Sequence, residues 1–275
     1  MSTLVCFHAH PDDECIGTGG ILAQAAAAGH RTVLVVATRG ERGEIVPDVL
    51  ADGEQLWERR IAETFESARL LGVSRVEFLG YVDSGMMGEE SNDSPYTFWT
   101  ADVDQAADRL AAILREESAD VLTVYDDHGL YGHPDHIQVH RVGVRAAELA
   151  GVDRVLQGTM NRDVMAEGME RRRAQIEEAI ANGELPSDTE LPEGPDDPDF
   201  GKPAVEITHA VDVREFTEGK RLAMRAHASQ IADDSWFLTM EEEIFSEAFG
   251  TEWFIEWGRT RPEGGEFLPS IWDPA

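Results

Sequence analysis

Two short stretches of this chain concentrate the side chains that bind metals and move protons. The first is His8-Ala9-His10-Pro11-Asp12-Asp13-Glu14. The second is Asp126-Asp127-His128-Gly129-Leu130-Tyr131-Gly132-His133-Pro134-Asp135-His136. Six of the nine histidines, His8, His10, His128, His133, His136 and His140, lie in or within a few residues of these stretches, which is not how surface histidines scatter. Two imidazoles and one carboxylate leave an open coordination position on Zn²⁺, the arrangement of a catalytic site rather than a structural one, and no Cys₄ or Cys₂His₂ spacing competes. Pro11 and Pro134 stiffen the two loops and so lower the entropy cost of holding ligands in place.

The elements that must position these loops alternate in type. Residues 4–7 read as a first strand, 20–28 as a helix stopped by Gly29, and 32–37 (TVLVVA) as a strand with the near-continuous apolar run of a parallel strand buried on both faces. A helix over 54–71, a strand over 76–79, a long loop over 80–100 and a helix over 103–117 follow. Next come a strand over 120–124, a helix over 135–150 and a strand over 155–159. This alternation predicts an α/β fold, a Rossmann-like, mostly parallel sheet flanked by helices. Ligands bind such sheets outside the carboxyl ends of the strands, where both metal-type stretches fall.

Residues 1–165 are therefore expected to form the catalytic core, with 166–275 a smaller α+β section packed on it rather than independent. That section reads as a charged helix over 163–182, an exposed acidic, proline-rich loop over 185–202, a strand over 205–213 and a helix over 214–230. A short helix over 240–249 and a strand over 253–257 close the chain.

Composition narrows the partners. There are 54 acidic against 23 basic residues among 275, a formal net charge of -31. An excess of this size repels phosphate backbones and anionic membrane surfaces, so no nucleic-acid partner is expected. The apolar segments are regular enough to exclude wholesale disorder. The acidity is read as a heavily solvated surface of the kind that adaptation to high salt produces. Cys6 and Cys15 do not make a disulfide framework. The first residues lack the pattern of a signal peptide and no apolar run reaches the length of a membrane span, so a cytoplasmic location is expected. A homo-oligomer is compatible with all of this.

Ala-His-Pro-Asp-Asp-Glu near the start, with Gly-His-Pro-Asp-His in mid-chain, resembles the PIG-L/LmbE-type deacetylases. That family includes N-acetylglucosaminyl-inositol deacetylases, mycothiol-conjugate amidases and chitobiose-type deacetylases. The resemblance covers the first 160 or so residues, and extends weakly to Ala226-His227-Ala228-Ser229-Gln230. It implies that His10, Asp13 and His136 bind the metal, Zn²⁺ with Fe²⁺ as the alternative. It also implies that Asp12 is the general base, that His133 donates a hydrogen bond or proton to the tetrahedral intermediate with Asp135 orienting it, and that Tyr131 helps to polarise the carbonyl. Physical chemistry agrees with such an assignment. Amide carbonyls are poor electrophiles and water a poor nucleophile, and a metal remedies both. Adjacent Asp12 and Asp13 can divide the tasks of base and ligand.

The same resemblance implies that Arg60 and Asp83 hold the sugar. Arg60 suits a hydroxyl or phosphate, Asp83 suits hydroxyls, and the run Asp83-Ser84-Gly85-Met86 looks most like the mycothiol-pathway members. Leu130 and the acidic loop after Leu185 match no family feature. The expected function is hydrolysis of an N-acetyl or other N-acyl group from an amino-sugar derivative such as a glucosaminyl-inositol. The alternatives are a mycothiol S-conjugate-type amidase cleaving a larger acyl group, and a non-catalytic metal-dependent sugar-binding protein.

Other features have simpler explanations. His8 and His140 read as strand-end and helix-face residues, and His128 as rim or loop. His30, His209 and His227 read as structural, His227 having the alternative of reaching the site from a C-terminal helix. Gly17-Thr18-Gly19-Gly20 does not fit the dinucleotide-binding G-x-G-x-x-G, and no acidic residue caps the second strand. Arg171-Arg172-Arg173 reads as a solvated helix face.

Overall fold

The computed structural model describes residues 1–191, 194 and 197–275. Among the described residues seven strands form one sheet: β1 (Thr3–His8), β2 (Arg31–Val36), β3 (Arg75–Phe78), β4 (Val121–Tyr125), β5 (Arg154–Thr159), β6 (His209–Asp212) and β7 (Thr251–Glu256). Their spatial order is β3-β2-β1-β4-β5-β7-β6. The first five in that order are mutually parallel, while β7 runs antiparallel to both β5 and β6. The mostly parallel α/β architecture is thus as expected. The antiparallel edge is the part that periodicity does not reveal, because strand direction is set by connections and not by local pattern.

The helices are α1 (Asp13–Gly17), α2 (Gly19–Ala27), α3 (Leu56–Leu70), α4 (Val103–Glu117), the irregular turn α5 (Gly129–Gly132), α6 (Pro134–Ala150), α7 (Arg162–Ala181), α8 (Thr217–Ala226), α9 (Trp236–Thr239) and α10 (Glu242–Phe249). A core on one face joins Val5, Phe7 and Val33 to Leu110, Leu114, Val139 and Val142 of α4 and α6. On the other face Leu4, Cys6 and Leu22 meet Val211, Met224, Phe245 and Phe254, all from the C-terminal section. One sheet and one apolar layer therefore draw on both parts of the chain.

Two expectations change. The strand expected over 205–213 is confined to His209–Asp212, and the helix expected over 214–230 ends at Ala226, where His227 begins a turn. Of the acidic loop over 185–202, Pro192, Glu193, Pro195 and Asp196 lie outside the described residues; the described part contains neither helix nor strand.

Lys220 and Glu252 lock α8 and β7 onto the core. Their side chains are 1% and 3% exposed with Nζ 2.7 Å from Oε1, and the same carboxylate accepts the backbone N–H groups of Gly20 and Ile21 at 2.8 and 2.9 Å. The start of α2, which leaves N–H groups without helical partners, is thereby satisfied by a residue more than 200 positions away. Gly20 also lets Val213 of the C-terminal section pack against α2: a Cβ there would stand 2.5 Å from the Val213 side chain.

Candidate metal and acid–base site

The order of the strands turns back between β1 and β4, and the carboxyl ends of these neighbours carry the two metal-type loops. Asp126, buried at the end of β4, shapes the second loop. Its Oδ1 accepts from the N–H groups of His128 and Leu130 at 3.1 and 3.0 Å, and Thr159 Oγ1 donates to its Oδ2 at 2.6 Å. Gly129, at φ 67°, is obligatory here, since a Cβ would fall 2.7 Å from Cβ of His136. His133 then caps α6, its ring Nδ1 accepting the Asp135 backbone N–H at 3.1 Å, with Pro134 opening the helix and His136 in its first turn.

The donor atoms converge. Asp13 Oδ2 lies 3.5 Å from His10 Nδ1 and 3.5 Å from His136 Nε2. Ligand-type nitrogens of His10, His133 and His136 also lie within 4.8 Å of one another. The other nitrogen of His10, Nε2, sits 3.2 Å from Asp135 Oδ2 and 3.6 Å from Asp83 Oδ1. A carboxylate on the far side of an imidazole is the partner that fixes a metal-ligating histidine. The ring of His136 stacks on Tyr125, centroids 4.1 Å apart at 12°, so its direction is also fixed. This donor set fits a divalent cation.

Electrostatics agree with that fit. Burial opposes protonation of His10, yet Asp83, Asp13 and Asp135 together hold its pKa well above the usual histidine value; the pocket favours positive charge. Burial pushes His136 down to about 4 and His133 down to about 3, the latter aided by neighbouring His10 and His136. Both rings are thus neutral near pH 7. Because Nδ1 of His133 accepts a hydrogen bond, its ring proton resides on Nε2.

Asp12 stands apart from the donor set. Its carboxylate Oδ2 is 3.2 Å from Arg60 Nη2. Burial raises its pKa to about 6 against the pull of Arg60, so near neutral pH it is ionised yet basic enough to take a proton. Its backbone has φ 94°, a conformation that costs a non-glycine residue about 1–3 kcal/mol unless the surroundings enforce it.

Other expected residues are placed differently. The Asp135 carboxylate does not orient His133; it reaches His10 Nε2 and also accepts from Ser84, from the backbone N–H at 2.9 Å and from the hydroxyl. Only the Asp135 backbone touches His133, because the helix start turns the side chain inward. Arg60 is 3% exposed and donates to Pro11 O at 2.5 Å, Gly40 O at 2.9 Å and Asp12, so it braces the first loop from behind instead of reaching outward. Asp83, also buried, is held by the Gly85 N–H at 2.8 Å and faces His10. Tyr131 lies at the rim, its hydroxyl 3.4 Å from His136 Nε2.

The remaining histidines divide cleanly. His8 bonds Tyr125 Oη and Thr18 Oγ1, His140 bonds Tyr125 O, and His128 pairs with Asp197 at 2.7 Å. His227 does come near the site: its Nε2 is 2.7 Å from Glu14 Oε1, with both side chains fully buried. Sequence reasoning missed Glu14, Ser84 and Tyr125. Glu14 ends the first motif, Ser84 follows Asp83 and Tyr125 immediately precedes Asp126, so position beside a motif was the available signal.

The fold is a doubly wound α/β sheet with a buried His/Asp cluster at its topological switch point, and similarity to known proteins shows the family. The model of the family described as "PIG-L: GlcNAc-PI de-N-acetylase" matches residues 5–147, over half of the chain. The chain belongs to the PIG-L family. It is 41% identical to a 1D-myo-inositol 2-acetamido-2-deoxy-alpha-D-glucopyranoside deacetylase of Salinispora arenicola, over 96% of this chain and 88% of the relative. It is 43% identical to the protein of the same name from Acidothermus cellulolyticus, over 93% and 88%. Among solved structures, the N,N'-diacetylchitobiose deacetylase from Pyrococcus horikoshii shares the fold, with a TM-score of 0.57 and 24% identity over 93% of this chain and 83% of that one.

Proposed function

We propose that this protein is a metal-dependent N-deacetylase that hydrolyses the acetamido group of 1D-myo-inositol 2-acetamido-2-deoxy-α-D-glucopyranoside, releasing acetate and the free amine. The names of relatives about two-fifths identical along nearly the whole chain support the substrate. The observation that carries the chemistry is the division between two adjacent carboxylates. Asp13 Oδ2 is equidistant from two imidazole nitrogens, while Asp12 is turned away to Arg60.

In this reading His10, Asp13 and His136 would hold the cation, with zinc the proposed ion and Fe²⁺ acceptable to the same donors. When bound, such a cation supplies Lewis acidity, polarising the amide carbonyl and making water a better proton donor. The chain's own residues do the rest. Asp12 takes the proton from the attacking water. His133 donates a hydrogen bond from Nε2–H to the oxygen of the tetrahedral intermediate, acting as a neutral donor because its pKa is so low. The proton held by Asp12 then passes to the departing nitrogen, and the C–N bond breaks. Tyr131 at the rim closes over the carbonyl. Asp83 and Arg60 act chiefly from behind, on His10 and Asp12.

Among the described residues no helix is long and apolar enough to cross a membrane. The two cysteines are free and buried, which agrees with the proposed reducing cytoplasm. The direct test is to load the purified protein with zinc and follow appearance of free amine from the glucosaminyl-inositol substrate. Amine and acetate in equal amounts are expected. Absence of turnover on this substrate, with turnover on amides of a larger acyl group, would transfer the assignment to an amidase.

A further inference from the structure

Asp12 holds a backbone conformation that its own side chain does not enforce, at φ 94° with no capping bond from the carboxylate. Its N–H instead donates to Glu14 Oε2 at 3.0 Å. The other oxygen of that carboxylate, Oε1, accepts from His227 Nε2 at 2.7 Å and from the Ser67 hydroxyl. Glu14 and His227 are both fully buried.

The Glu14 carboxylate only accepts, so Nε2 of His227 carries the proton; Nδ1 is buried without a partner among the described residues. His227 is itself fixed. It heads a turn in which Gln230 and Ile231 donate to its carbonyl, and Ser229, two residues further on, donates from both N–H and hydroxyl to Glu63 of α3, at 2.9 and 2.6 Å. The carbonyl of Ser229 accepts from Val46. A chain of short contacts thus runs from the C-terminal section, through His227 and Glu14, to the backbone of Asp12.

We infer that Glu14, anchored by His227, is a positioning residue for Asp12: it fixes the left-handed backbone that points one carboxylate out of the donor set while its neighbour Asp13 points in. The inference rests on the reading of Asp12 as the base. Arg60 holds the Asp12 side chain and Glu14 its main chain, and neither substitutes for the other. Without the Glu14 acceptor, residue 12 relaxes toward negative φ and its carboxylate swings off the line of attack, a displacement of the kind that costs about 100-fold in rate.

The variants E14A, E14Q, H227A, D12A and D12A/E14A, each zinc-loaded, are compared for kcat, KM, bound zinc and hydrogen exchange of the Asp12 amide. For E14A, kcat is expected to fall about 100-fold with KM within about twofold and zinc retained, while Asp12 amide exchange rises about 100-fold. E14Q keeps an oxygen that accepts from the Asp12 N–H and returns to within about tenfold of wild type. In the D12A background E14A costs no more than about a further twofold, because it acts only through residue 12. Should E14A not fold, H227A is read by the same criterion, with Asp12 exchange expected to rise about tenfold. Unchanged Asp12 exchange, loss of zinc in place of kcat, or an undiminished E14A effect in the D12A background each overturns the inference. Wild-type turnover by D12A would instead overturn the base reading, and the exchange measurement would still decide whether Glu14 holds residue 12.

Discussion

The carboxylate of Asp135 stands 3.2 Å from Nε2 of His10, 125 residues away in the chain, while its other oxygen accepts the hydroxyl of Ser84. It thereby fixes the direction and tautomer of an imidazole whose opposite nitrogen faces Asp13. Asp135→Asn keeps the shape and removes the charge. Zinc affinity is expected to fall about 10–100-fold, as for other second partners of metal-bound histidines. Competition against a chromophoric chelator measures it; unchanged affinity would mean that Asp135 does not support the cation.

His133 and His136 are near each other but are proposed to have different tasks. His136→Ala removes a donor and should abolish stoichiometric zinc binding. His133→Ala should keep zinc and lower kcat about 10²–10³-fold, the usual effect of deleting one donor to a developing oxyanion. Loss of zinc from His133→Ala would favour a three-histidine donor set, which the proximity of His10, His133 and His136 also allows.

The C-terminal section is proposed to be part of one folding unit. Glu252→Ala would strand the buried Lys220 ammonium and release two N–H groups of α2, with an expected loss of about 3–5 kcal/mol in urea unfolding. A chain truncated after residue 165 should lack a cooperative transition altogether. A loss below about 1 kcal/mol, or a folded truncation product, would contradict the proposal.

At the amino ends of β2 and β3, opposite the site, Glu117 bonds Arg31 and Arg75. Arg31 foremost, against some burial and with help from Arg75, lowers the Glu117 pKa from 4.5 to about 2. A depressed carboxylate stabilises the fold fully above its unfolded pKa, near 4.5, and the contribution is lost as pH falls through about 2. Glu117→Gln should therefore cost roughly 1–2 kcal/mol at pH 7, reduced from full linkage because Arg31 meets solvent. The two proteins should converge in stability below about pH 2. A constant gap across that window would assign the effect to packing.

Much of this architecture was legible locally. The apolar runs of β1, β2 and β4 and the helix over 103–117 lie where periodicity puts them, and the two motifs fall at the carboxyl ends of adjacent strands. What escaped depends on long-range pairing. Asp135 was assigned to its sequence neighbour His133, whereas the start of α6 aims it at His10 and Ser84. Arg60 had the chemistry of a ligand-binding side chain, but the fold surrounds it with the carbonyls of Pro11 and Gly40. The helix expected to run to Gln230 stops at Ala226 because His227 turns in to meet Glu14. None of these partners lies near enough in sequence to leave a local pattern.

In the proposed mechanism Asp12 moves the proton while Asp13 holds the cation. This division is tested most directly by measuring zinc content and acetate release together for wild type and Asp12→Ala on 1D-myo-inositol 2-acetamido-2-deoxy-α-D-glucopyranoside. About one zinc per chain is expected in both, with a kcat lower by about 10²–10⁴-fold in the variant. A variant that keeps its zinc and releases acetate at the wild-type rate would contradict the division.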